Sequence, residues 1–244
     1  MLFHLVWIFA ALTLASQSTV AAPHKVVGFN YPPYVYISEN GKSKGTFVDT
    51  AMEITRRLKL RSKRVHVLPP RRSNIGVLDD SQVILLSSRI IFPEAEHRKL
   101  IFIKVFDFDV VMFGKKSKTS GIKSLSQLEN RKVAILSGDH FERQLASDNR
   151  ALATEVNSVE QMMRMVFNDR VDFGFCLPQT CQAVLDKDFP GRGSEIDTST
   201  HRVLTATGDI ILKKTARNMK LAEEIQKVLR DLEAEGFLAK KFTY

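Results

Sequence analysis

A Ser-Ser-Arg triplet is one of the few places in this sequence where chemistry-bearing side chains are grouped. It consists of Ser87, Ser88 and Arg89, and it follows the apolar run of residues 82–86. The donors of an arginine guanidinium match both oxygens of a carboxylate, so Arg89 could hold an anionic ligand. The alternative is an ion pair between Arg89 and a nearby acid such as Glu94.

A second group of polar residues follows a predicted strand and begins a predicted helix. Its members are Ser137, Gly138, Asp139 and His140. The free N–H groups at a helix N-terminus attract anions. Asp139 together with Glu142 is, however, typical of a helix cap, and a carboxylate there competes with an anionic ligand. His140 either donates to a ligand or lies at the surface.

Two tyrosines enclose a pair of prolines near the start of the globular sequence. Tyr31 and Tyr34 lie on either side of Pro32 and Pro33. Proline stiffens the loop, so each tyrosine could offer a flat face to a ligand at little entropic cost. The alternative is that both rings fill the core.

Two common kinds of catalytic site find no support. The histidines His66, His97, His140 and His201 lack the spacing of metal ligands, and no Gly-x-Ser-x-Gly motif is present. We expect neither a metal nor a cofactor.

The first 22 residues indicate export. Residues 1–15 are almost entirely apolar and carry no Lys, Arg, Asp or Glu, and residues 16–22 are small or weakly polar. This pattern is typical of a cleaved signal peptide and is shorter than the ~20 apolar residues of a membrane span. We predict a signal peptide over residues 1–22 and a periplasmic protein, with a retained anchor as the alternative.

The remaining bulk properties bound the partners. The formal net charge is +9, which favours anionic surfaces or ligands. The basic residues lack interleaved aromatics, which argues against nucleic acid binding. Cys176 and Cys181 either form a disulfide in an oxidising compartment or are two buried thiols.

Strand-like and helix-like segments alternate along the chain, which predicts α/β lobes with largely parallel sheets. We predict lobe 1 over residues 23–110 and 207–244, and lobe 2 over 111–206, with hinges near 109–113 and 205–209. Because open α/β sheets bind ligands at the carboxyl ends of their strands, the cleft between the lobes is the expected site. The predicted helix-capping pairs are Thr46 with Asp49, Ser124 with Gln127, and Ser158 with Gln161.

The order of several short motifs resembles the extracellular solute-binding proteins of family 3, which serve polar amino-acid transporters. The resemblance covers nearly all of residues 25–244. Its pieces are Val27-Gly28 before Tyr31-Pro32-Pro33-Tyr34, Gly45 with Val48-Asp49, residues 124–128 followed by 132–135, and residues 168–173.

The resemblance implies a two-lobed, type II periplasmic-binding-protein-like fold with two crossovers. It also implies a monomeric binding protein, not an enzyme, that delivers a small polar solute, an amino acid or organic acid, to an ABC-type permease or a membrane receptor. The alternatives are an enzyme of the cyclic-acid dehydratase type on the same fold, and a sensory protein that presents its ligand in trans.

The resemblance also assigns site residues. An aromatic after the first strand packs on the ligand, which points to Tyr31 and Tyr34. Hydroxyls and an arginine hold its carboxylate, which points to Ser87, Ser88 and Arg89, with Arg98 as the other arginine. The amides of the turn over residues 137–140 bind the carboxylate from the second lobe.

One departure from the family concerns the ligand's amino group. The family carries an acid for this group a few residues after the Val-Asp turn, but here that position falls at or near Leu177, and no acid follows before Asp186. A carboxylate without an amine, or another small polar solute, therefore fits as well as an α-amino acid.

Overall fold

The computed structural model of the chain describes residues 24–242, apart from the side chains of residues 199–201. The predicted signal peptide over residues 1–22 lies outside this range. Within it, no helix combines the length and apolarity that crossing a membrane requires.

The chain alternates strands and helices, as the sequence pattern predicts. The strands are β1 Lys25–Gly28, β2 Tyr36–Ile37, β3 Ser43–Lys44, β4 Val65–Val67, β5 Val83–Ser87, β6 Leu100–Lys115, β7 Lys132–Leu136, β8 Leu152–Val156, β9 Phe173–Cys176 and β10 Ile196–Lys213. The helices are α1 Thr46–Arg57, α2 Pro70–Asp79, α3 Glu94–His97, α4 Lys116–Thr119, α5 His140–Asp148, α6 Val159–Phe167, α7 Pro178–Asp188, α8 Ala216–Ala234 and α9 Phe237–Phe242. Short 3-10 helices span Arg89–Ile91, Leu125–Leu128 and Gly193–Glu195.

Two long antiparallel strands connect two lobes. The main sheet has the order β4-β1-β5-β10-β6-β9-β7-β8, and β6 and β10 pair along most of their length. One end of this pair continues into lobe 1, where β5 pairs with β10. The other end continues into lobe 2, where β9 pairs with β6. This arrangement confirms the predicted α/β architecture with two lobes and two crossovers.

Between the lobes the two long strands pair only with each other among the described residues. The register joins Asp107 to Thr207 and Asp109 to Thr205, whereas β5 pairs with residues 209–212 and β9 with 111–114. Irregularities interrupt this register, one of them between Gly208 and Asp209. The exact boundaries at 110/111 and 206/207 stay a prediction.

Most of the predicted helix caps form. Ser124 and Gln127 make both bonds of a capping box, which begins a 3-10 helix, and Ser158 accepts from the Gln161 N–H at 3.1 Å. The predicted cap at Thr46 is wrong, because α1 already begins at Thr46. Its cap position is Gly45, with a φ of 127°, where an added Cβ would lie 2.2 Å from the Tyr34 carbonyl oxygen. Only glycine fits there.

Each lobe has its own apolar core. In lobe 1, helix α8 places its predicted apolar face against the sheet, through Leu221, Ile225, Val228, Leu229 and Leu232. In lobe 2, α6 buries Met162, Met163 and Val166. These cores hold the carboxyl ends of β5, β7 and β9 at the cleft between the lobes.

Candidate ligand-binding cleft

A cavity lies between the two lobes at the carboxyl ends of these strands. Its internal volume is about 70 Å³, and the empty space including the open mouth is about 650 Å³. Both lobes line it, through Phe29, Tyr31, Tyr34, Val35, Phe47, Leu86, Ser87, Ser88, Ile90, Ile91, Phe106, Phe108, Val110, Leu136, Asp139, Phe141, Glu142, Leu177 and Gly208.

Two serine hydroxyls form the polar part of the lobe 1 wall. Ser87 and Ser88 are only 9% and 6% exposed, and neither Oγ has a hydrogen-bond partner among the described residues. The turn that carries them is fixed from behind, where the Arg89 N–H donates to Asp209 Oδ2 at 2.9 Å. Buried hydroxyls are nearly always bonded, so these two are available to a bound molecule.

Aromatic rings form most of the rest of the lobe 1 wall. Tyr34 stacks on Phe106 with ring centroids 5.0 Å apart, and Phe106 stacks on Phe242 at 4.2 Å. Gly208 makes room for this stack, because a Cβ there would lie 2.2 Å from the Phe106 ring. Tyr31 meets Phe29 edge-on at 5.5 Å.

Two buried carboxyl groups form the polar part of the lobe 2 wall. Asp139 caps α5 by accepting from the Glu142 N–H at 3.0 Å, and Glu142 Oε2 accepts from the Leu136 N–H at 2.5 Å. Burial raises the pKa of Asp139 to about 6, against the backbone bonds that lower it. Burial, and secondarily the charge of Asp139, raises the pKa of Glu142 well above its usual range. Burial therefore disfavours the charged form of both carboxyl groups.

The Tyr31 hydroxyl belongs to the same polar region. Burial, followed by the nearby charges of Glu142 and Asp139, raises the pKa of Tyr31 well above 10. Tyr31 therefore stays protonated and can donate or accept a hydrogen bond inside the cleft.

Five of the nine predicted site residues line the cavity. They are Tyr31, Tyr34, Ser87, Ser88 and Asp139. Tyr34 is also 4% exposed and belongs to the lobe 1 core, so the ring fills the core, and its contact with a ligand stays a prediction.

The other four lie outside the lining. The Arg89 side chain is exposed, and its guanidinium lies over the Phe102 ring, 4.8 Å from the centroid. Arg89 does not line the cavity, and its predicted part in holding a carboxylate stays a prediction. Arg98 is exposed as well and does not line the cavity.

The turn over residues 137–140 contributes only Asp139. Gly138 instead touches lobe 1, since its carbonyl accepts from Asn74 Nδ2 at 3.2 Å and an added Cβ would lie 2.8 Å from the Arg71 Cα. Ser137 hydrogen-bonds Glu155, and His140 lines a separate surface groove beside Arg71. The amides of this turn therefore do not form the expected carboxylate site.

Sequence reasoning missed Glu142 as a lining residue and most of the aromatic wall. Glu142 was interpreted only as part of a helix cap. A signal for the wall was present in β6, because Phe106, Phe108 and Val110 alternate and residues two apart share one face of a strand. Leu177 occupies the wall where the resemblance led us to look for an acid.

The two cysteines are joined beside this position. Cys176 at the end of β9 and Cys181 in the first turn of α7 form a disulfide with Cα atoms 6.1 Å apart, and both are fully buried. The loop that the disulfide closes contains Leu177, which lines the cavity.

Hydrogen bonds also join the two lobes beside the cavity. The Tyr34 hydroxyl donates to Gln179 Oε1 at 3.3 Å, in addition to the bond between Asn74 and Gly138. The two lobes are therefore closed around the cleft in this structure.

Comparison with known proteins places the fold. No family model matches the chain, and no curated protein matches it significantly. Among solved structures, a mutant of the arginine-binding protein ArgBP from T. maritima is 21% identical, with a TM-score of 0.76 over 91% of this chain and 96% of that one.

Two further solved structures have the same architecture. The GluR0 ligand-binding core in complex with L-glutamate is 17% identical, with a TM-score of 0.74 over 91% of this chain and 96% of that one. A periplasmic binding protein of an arginine transport system from Legionella pneumophila is 17% identical, with a TM-score of 0.72 over 91% and 99%. The chain therefore has the two-lobed fold of type II periplasmic binding proteins.

Proposed function

We propose that this chain is a solute-binding protein that captures a small molecule by closing its two lobes. The observation that carries the proposal is the composition of the cavity. Lobe 1 contributes buried hydroxyls without partners, and lobe 2 contributes a buried carboxyl pair. A solute held between them would draw affinity from both lobes and so favour the closed form.

The proposed setting is outside the cytoplasmic membrane, where a monomer delivers its ligand to an ABC-type permease or to a membrane receptor. The apolar N-terminal sequence and the disulfide between Cys176 and Cys181 support export. Structures of similar fold include a transport-system binding protein and a ligand-binding core, so both delivery and sensing are compatible with the fold.

Export has a direct test. Mass spectrometry of the protein recovered from the cell envelope should show a mature N-terminus near Pro23. A full-length protein recovered from the cytoplasm would contradict export without affecting the binding proposal.

One observation favours an enzyme as the second candidate. The pKa of Asp139, raised to about 6 by burial, would suit a general acid in the cleft. A panel of amino acids, organic acids and amines separates the two functions. Thermal shift identifies the solutes that bind, and a ligand at 100 times its Kd should stabilise the protein by ~2.7 kcal/mol. Chromatography of each solute after incubation should recover it unchanged, whereas turnover would favour the enzyme.

A further inference from the structure

The ionisable side chains that line the cavity are all acidic. They are Asp139, Glu142, Tyr31 and Tyr34, and no Lys or Arg is among the described residues of the lining. Bringing a carboxylate into this space would add another negative charge beside two carboxyl groups that already lack a cationic partner. Such an uncompensated buried charge is strongly disfavoured.

The two carboxyl groups retain acceptor capacity toward the cavity. The backbone N–H groups of Leu136 and of the first turn of α5 occupy part of it. A carboxylate has about four lone-pair sites, so further donors can be accepted. An ammonium group offers three donors and no acceptor, so it can occupy the remaining acceptor sites of the two carboxyl groups.

The hydroxyls of Ser87 and Ser88 give independent support for a polar ligand group. Both are more than nine-tenths buried, line the cavity and lack a protein partner among the described residues. They come from lobe 1, whereas the carboxyl groups come from lobe 2. A ligand head bonded to both sets would connect the lobes.

The rest of the wall is apolar and aromatic. The rings of Phe29, Phe106, Phe108 and Phe141, with Tyr31, surround this polar region. Aromatic walls of this kind suit a flat or hydrocarbon body, and their faces attract a cation.

Building on the proposed function, we propose that the ligand is a small organic amine without a carboxylate. Its ammonium group binds Asp139 and Glu142 together with the hydroxyls of Ser87 and Ser88, and its apolar body packs on the aromatic wall. The positive charge favours the ionised form of both carboxyl groups, so binding releases protons near pH 6, where Asp139 is partly protonated. This ligand class differs from the amino acid or organic acid that the resemblance implies.

Three matched probes test the proposal on the purified protein. They are 2-phenylethylamine, L-phenylalanine, which adds a carboxylate, and 3-phenylpropionate, which has the carboxylate but no amine. Calorimetry at pH 7.5 should show binding of 2-phenylethylamine, at least 100-fold weaker binding of L-phenylalanine and none of 3-phenylpropionate. At pH 6, near the raised pKa of Asp139, the binding heat should vary with the ionisation enthalpy of the buffer, as proton release requires.

Variants locate the site. Asp139→Asn and Glu142→Gln should each weaken 2-phenylethylamine at least 10-fold and alter the number of protons released. Glu129→Gln makes the same charge change at an exposed carboxylate outside the cavity and should change neither. Circular dichroism of each variant would establish that it is folded.

Different results would contradict the amine proposal and the proposed solute-binding function. Binding of L-phenylalanine or 3-phenylpropionate as tightly as the amine would overturn the amine proposal and leave a solute-binding protein. So would failure of 2-phenylethylamine, tyramine and putrescine when another solute binds. If no solute of any class binds, both proposals fall.

Discussion

Asp139 and Glu142 place two buried carboxyl groups three residues apart at the start of α5. The pKa of Asp139 is raised from 3.8 to about 6, and that of Glu142 is raised well above its usual range. The other ionisable side chains among the described lining residues are Tyr31 and Tyr34, and neither is a cation. No Lys or Arg among the described lining residues neutralises the pair. Burial therefore lowers the stability of the unliganded protein whenever both groups are ionised.

The sign of the resulting pH dependence follows from the raised pKa values. The folded protein binds more protons than the unfolded chain between pH 3.8 and about 6. The free energy of unfolding therefore falls as the pH rises through this window, and Glu142 extends the loss to higher pH. Asp139→Asn keeps a good helix cap and should raise the free energy of unfolding at pH 7.5 by about 1–3 kcal/mol.

Urea denaturation at pH 7.5 and pH 4 measures this effect. The increase in the free energy of unfolding caused by Asp139→Asn should be smaller at pH 4, because Asp139 is mostly protonated in the folded parent protein at that pH. Glu129→Gln serves as the exposed control. A loss of stability in Asp139→Asn at pH 7.5 would mean that the carboxylate is compensated in the unliganded protein.

The serine hydroxyls lead to a second prediction at this scale. A buried polar group without a partner destabilises the folded state by about 1–3 kcal/mol. Ser88→Ala should therefore leave the free energy of unfolding unchanged or raise it, whereas it should weaken ligand binding. Chemical denaturation and calorimetry of the same variant test both parts. A loss of more than about 1 kcal/mol of stability would show that the hydroxyl is bonded without ligand.

At the scale of the elements, β10 carries Gly208 against the aromatic stack. An added Cβ would lie 2.2 Å from the Phe106 ring, so the ring must leave its stack with Tyr34. Gly208→Ala should lower the free energy of unfolding by about 1–3 kcal/mol, the usual effect of overpacking.

Gly76→Ala is the matched control for this substitution. Gly76 lies in α2, and an added Cβ there has no heavy atom within 4 Å. Alanine should stabilise this helix by about 0.5–1 kcal/mol. Thermal unfolding should move the two variants in opposite directions, and equal shifts would argue against the aromatic stack as described.

The disulfide connects β9 to α7 across a very short loop. Closing a loop of this length restricts the unfolded chain by about 2 kcal/mol. Reduction should lower the free energy of unfolding by about this amount and loosen Leu177 at the cleft. Thiol counting on unreduced, denatured protein should find no free thiol, and two free thiols would refute the bridge.

The sequence predicts the elements of this fold better than it predicts the site. Residues 132–136 form β7 as predicted, and α6 begins at the predicted cap Ser158, because strand pattern and caps are local signals. The position of Arg89 depends on distant residues, because its guanidinium lies over the Phe102 ring and its N–H donates to Asp209, 120 residues later. The cavity role of Glu142 likewise depends on the approach of lobe 1, which helix-cap patterns do not report.

At the scale of the whole molecule, we propose that residues 107–110 and 204–207 form the hinge. These segments pair only with each other in the described sheet, so bending them breaks no strand pairing to β5 or β9. Two-lobed proteins close in this way when a few residues absorb the backbone change. The contacts from Asn74 to Gly138 and from Tyr34 to Gln179 would form on closing.

Small-angle scattering tests whether the two lobes close around a ligand. The protein is measured alone and with the panel solute that stabilises it most, at a concentration that saturates the thermal shift. We expect the solute to lower the radius of gyration of the parent protein. We expect no change for the Asp139→Asn/Glu142→Gln double variant at the same solute concentration. Identical scattering profiles of the parent protein with and without the saturating solute would contradict closure around a ligand.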